Sequence, residues 1–199
     1  MGLTLNTNSL NLATSGGGAS GLSTSDVTTL IKNNTRWQFI TELTADASSE
    51  LAFTSIPSNF HTIRIHYNDL TFNQNSAADM RLYLDGTLET ANSYRTAGRA
   101  STNSSRTNVY STYTYWRPID GYESGGERHI MGFTDIGGNK VNSQCQMYSR
   151  ISSVHSTSPT MYDFSGHLDT GHLKMITGFT LYPASGVWAR GSIKIYGMN

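Results

Sequence analysis

The chain has 199 residues, 14 basic against 14 acidic side chains, and one cysteine, Cys145. Balanced charge gives no electrostatic reason to expect nucleic acid or an anionic membrane as partner, and a lone cysteine excludes an internal disulfide framework or a multi-cysteine metal site. Charged residues are 14% against a typical ~25%; the Ser, Thr, Asn, Gly and Tyr that replace them suit turn-rich β-structure, or a surface packed against other chains.

Residues 1–21 read as a flexible or extended arm. The opening MGLTLNTNSLNLATS has neither a basic region nor an apolar core, so no export signal is expected there. LTLNTNSLNL alternates in part and predicts a strand that pairs with something else, because alone it cannot bury its leucines. ATSGGGASG is a linker by composition. Residues 22–34 predict a short helix: Ser23 and Asp26 resemble a capping box, and Val27, Leu30 and Ile31 fall on one face. A helix of roughly ten residues is marginal alone. Its stripe needs either the β-domain or copies of itself around a symmetry axis, so Val27, Leu30 and Ile31 are candidate oligomerisation residues.

Residues 35–199 read as strands between turns. Ile63, Ile65 and Tyr67 alternate with Arg64 and His66, while Met80, Leu82 and Leu84 share a face and run into an Asp85-Gly86 turn. RTAGRASTNSSRTN, residues 95–108, has few apolar anchors and reads as a mobile loop. NVYSTYTYWR predicts one alternating strand, with Val109, Ser111, Tyr113 and Tyr115 on the same side. The last two segments predict a hairpin around Pro183 to Gly186, with Phe179, Leu181, Ile193 and Ile195 facing the core. Nine or ten short strands are expected in an all-β fold, a jelly-roll-like β-sandwich; a closed barrel is the alternative, and periodicity does not separate the two.

Motifs for chemistry are absent from this reading. Cys145 sits in an alternating run as a small buried hydrophobe. His61 and His66, like His167 and His172, are five apart, which places each pair on opposite faces of a strand. No catalytic, cofactor-binding or metal-ligating residue is assigned, no cofactor is expected, and the expectation is a non-enzyme. No stretch reaches the ~20 apolar residues of a membrane span. The aromatic segment Tyr110 to Tyr122 serves sheet packing or stacks on sugar rings; in the second case Tyr115, Trp116 and Tyr122 are the glycan-contact candidates.

Taken together, the Gly/Ser linker, SDVTTLIKNN, TRWQFITELTADASSELAFTSIPSNFHTIRIHYNDL and the closing ITGFTLYPASGVWARGSIKIYGMN resemble small fibre or tail-appendage virion proteins of tailed bacteriophages, notably marine and cyanobacterial ones. The resemblance implies a virion protein assembled in the host cytoplasm. It would be a homotrimer joined to other virion proteins by its N-terminal arm, with an outward β-sandwich able to meet host surface glycan. A capsid decoration or head-fibre protein, or a carbohydrate-binding module, would be built from the same parts.

Overall fold

The computed structural model describes residues 4–6, 9–11, 37–101, 106–119, 129–138, 144–155, 158–169 and 174–199. The chain divides into the units Met1–Arg36 and Trp37–Asn199. In the first, β1 (Thr4–Asn6) and β2 (Ser9–Asn11) pair antiparallel, Leu5 opposite Leu10. The segment expected to be one extended strand thus turns back on itself. The expected helix over residues 22–34, with Val27, Leu30 and Ile31, lies outside the described residues.

The second unit is all-β among its described residues. Its strands are β3 (Gln38–Thr44), β4 (Leu51–Phe53), β5 (Thr62–Phe72), β6 (Ala78–Leu84), β7 (Thr87–Leu88), β8 (Tyr94–Ser101), β9 (Arg106–Tyr113), β10 (Trp116–Ile119), β11 (His129–Gly137), β12 (Gln146–His155), β13 (Ser158–Leu168), β14 (Ile176–Pro183) and β15 (Trp188–Met198). They form an eight-stranded sheet in the order β3-β15-β5-β11-β12-β13-β8-β9 and a smaller one in the order β10-β6-β14-β4, with β7 on β6. Successive strands β3, β4, β5 and β6 alternate between the two sheets, as do β10 and β11, and β14 and β15.

The alternation read from the sequence places side chains correctly. Ile63, Ile65, Tyr67, Met80, Leu82, Phe179, Leu181, Ile193 and Ile195 are fully buried, and residues of both sheets join in one hydrophobic cluster. The Asp85-Gly86 signal makes a two-residue hairpin between Leu84 and Thr87. Both turn residues have positive φ, 49° and 81°, the geometry that matches strand twist and favours Gly. One interior polar chain is paired: the Tyr67 hydroxyl bonds Thr134 Oγ1 at 2.8 Å, and Thr134 bonds Ser149 Oγ at 2.5 Å. Tyr94 on β8 accepts a hydrogen bond from the Leu82 backbone N–H on β6 at 2.9 Å, tying the sheets together.

Three expectations are corrected. β14 and β15 are not a hairpin but lie in different sheets. Their connection spans the two sheets beside the similarly short β5–β6 connection, and the loops bond one another: Ala184 N–H to Ala77 O at 2.9 Å, Asn73 N–H to Val187 O at 3.1 Å, and Ser185 Oγ to Asn75 O at 2.9 Å. Residues 95–108 are not a loop throughout, because β8 and β9 pair from Tyr94↔Tyr113 to Ser101↔Arg106. Gly98 lets Phe164 of the neighbouring strand lie against the β8 backbone, so β8 packs with few apolar side chains of its own. The segment from residue 109 to 117 is two strands. It breaks at Thr114 and Tyr115, where the chain leaves the large sheet for the small one.

Candidate functional site

The expected glycan-contact residues separate. Trp116 begins β10 inside the core at 0% exposure, against Gly166 of β13. Alternation turns it inward opposite Met80, so its indole face is closed to any ligand, and it is removed as a contact residue. Tyr122 lies outside the described residues. Tyr115 stays partly exposed and stacks on Tyr113, ring centroids 5.0 Å apart and planes 8° from parallel.

These two rings belong to a ledge on the outward side of the small sheet. The Arg117 guanidinium lies 5.1 Å from the Tyr115 ring centroid and 5.9 Å from that of Tyr113. It donates to Asp79 through Nε at 2.7 Å and Nη2 at 3.2 Å, and through Nη2 to the Tyr115 hydroxyl at 3.2 Å. Asp79 is 3% exposed, although β6 turns it away from the core. Across the β6–β14 pair, Tyr182 stands opposite Asp79. Arg81 lies 5.5 Å over the Tyr182 ring, and burial pushes that tyrosine's hydroxyl pKa up.

A second aromatic–arginine arrangement lies on the outward face of the large sheet. Arg64 is sandwiched between Trp37 at 4.3 Å and Phe133 at 4.1 Å, and holds Asp135 through two bonds of 2.7 Å. Tyr148 tilts against Phe133 at 6.1 Å. The rigid planar guanidinium suits both stacking and bidentate pairing, so each group fixes the next.

Nucleophiles and ligands are dispersed. Among the described residues no group of three or more His, Cys, Asp and Glu could hold a metal ion. His129 contacts Asp69 through Nδ1 at 2.5 Å and Arg190 through Nε2 at 3.2 Å, and His167 contacts Asp169 at 3.0 Å. Cys145 is buried, and desolvation pushes its thiol up to about 12. Thiolate is the reactive form, so at pH 8 the native protein should leave Ellman's reagent uncoloured until guanidinium is added. Prompt release of one equivalent from the folded chain would contradict this burial.

No family model matches the chain, and no curated protein or solved structure matches it. No helix among the described residues is long and apolar enough to cross a membrane.

Neither aromatic–arginine arrangement was visible as such in the sequence. Arg64, Phe133, Asp135 and Tyr148 come from three strands, and their proximity depends on register. The signal in the sequence is local: Arg64 on β5 and Phe133 and Asp135 on β11 fall on the phase opposite to their buried neighbours Ile63, Ile65, Thr134 and Ile136.

Proposed function

We propose that the chain is a structural virion protein of a tailed bacteriophage, a non-catalytic trimeric fibre or tail appendage anchored by its N-terminus. Its outward domain is a jelly-roll-like β-sandwich that meets the host surface. The observation that carries this reading is the strand order. In the large sheet β3-β15-β5-β11 are neighbours, in the small sheet β4-β14-β6-β10, so the chain switches sheets as it folds back along itself. That rolled arrangement of two sheets recurs in viral capsid and lectin domains. The low-charge, Ser/Thr/Asn/Tyr-rich composition supports close packing between copies, and the sequence resemblance to phage appendage proteins supports the context.

Light scattering on the full chain tests the assembly, with an expected mass about three times 21.8 kDa. Leu30→Asp, placed in the proposed helix stripe, is expected to give monomers with an unchanged β circular-dichroism spectrum. A monomeric parent chain at micromolar concentration overturns the trimer.

A further inference from the structure

The geometry points to a groove for a short neutral saccharide on the outward face of the large sheet, across β11, β12, β13 and β8. This inference goes beyond the structural role above, since it requires neither a trimer nor the N-terminal arm.

Register builds the groove. One row across the sheet is Gly137, Gln146, His167 and Arg95; the next is Asp135, Tyr148, Ser165 and Ala97. Gly137, Ser165 and Ala97 are small where their neighbours are long, which leaves a depression of about 460 Å³. That size lies within the roughly 300–1,000 Å³ of small-molecule sites.

The chemistry of the walls selects the ligand. Each sugar hydroxyl both donates and accepts, so it is matched by amides and by fixed pairs of donors and acceptors. The Gln144 and Gln146 amides line the groove and make no side-chain hydrogen bond among the described residues. Asp169 holds Arg95 through Nε at 2.8 Å and His167 at 3.0 Å, while Arg64 holds Asp135. These charged groups therefore arrive already oriented, and binding costs less ordering entropy. Tyr148, 38% exposed, offers a ring face to the apolar C–H side of a pyranose. Arg95 and Arg64 are both matched by carboxylates, so the groove has no surplus positive charge to attract a phosphate, sulfate or acidic sugar.

Gly137 provides the blocking position, because a Cβ there meets nothing within 4 Å. Gly137→Trp fills the groove without straining β11. The test is isothermal titration of the full chain with maltohexaose, mannohexaose and cellohexaose, with dextran sulfate as the charged comparison. At least one neutral hexasaccharide is expected to bind with Kd at or below about 1 mM. Gly137→Trp and Gln146→Ala should each weaken it by roughly tenfold or more. Should Gly137→Trp fail to fold by circular dichroism, Gln146→Ala decides alone. Silence with all three sugars, binding of dextran sulfate alone, or undiminished binding by the folded variants overturns the groove. So does loss of binding in Tyr115→Ala without loss in Gly137→Trp, which moves the site to the tyrosine ledge. Each of these outcomes leaves the light-scattering mass, and with it the structural reading, untouched.

Discussion

Trp188→Ala should lower the thermal midpoint of the protein by roughly 10 °C or more. The side chain is fully buried at the start of β15, where the chain has just crossed between sheets. It stacks on Phe72 with ring centroids 4.7 Å apart and planes 20° from parallel, and its indole N–H donates to Leu181 O at 3.3 Å. Its backbone N–H donates to Ser48 O at 2.9 Å, a bond that truncation leaves in place. Removing a buried Trp side chain costs about 3–5 kcal/mol, and for a domain of this size each kcal/mol corresponds to about 2–4 °C. Trp188→Phe keeps a ring on Phe72 but forfeits the N–H and part of the indole's packing, so its loss should be smaller, about 1–2 kcal/mol. A calorimetric shift under about 3 °C for Trp188→Ala would show that this junction contributes little to the core.

Arg117→Met should be comparably damaging, for an electrostatic reason. Asp79 is buried beneath the tyrosine ledge, and Arg117 is its bidentate partner. Removing one member of a buried pair takes the bidentate partner from the other charge, at a cost of about 3–5 kcal/mol, whereas replacing both by apolar groups is often close to neutral. The double variant Asp79→Leu/Arg117→Met should therefore be more stable than Arg117→Met alone in urea. Equal midpoints for single and double variants would mean that Asp79 is satisfied without the arginine.

Periodicity made the faces of this fold readable and left its pairings hidden. The alternation at Ile63, Ile65 and Tyr67 or at Met80, Leu82 and Leu84 identifies the inward phase, because a strand buried on one side has no other way to place its apolar residues. It is silent on whether the next strand lies beside or across. Pro183 to Gly186 looks like a reversal within a sheet, yet the segment carries the chain between sheets; both solutions need four or so polar, turn-forming residues. Residues 95–108 look unstructured because β8 contributes little apolar area, the packing coming instead from Phe164 over Gly98. Trp116 was half of an ambiguous alternation, and the break at Thr114 and Tyr115 resets the phase that sequence alone would carry through. The saccharide groove draws on residues from Thr62 to His167, and only register brings them together.

The position of β15 has a kinetic consequence. It lies inside the large sheet, between β3 and β5, and supplies the only ladder that β3 makes among the described residues. During synthesis β3 and β5 leave the ribosome well before the strand that joins them, so β3 waits without its ladder until more than a hundred further residues have followed. Contacts so distant along the chain make for slow, late-committing folding, on the millisecond-to-second scale of all-β domains. Until β15 arrives, the exposed edges of β3 and β5 are open to strands of other nascent chains, so crowding on a polysome raises the exposure to mispairing.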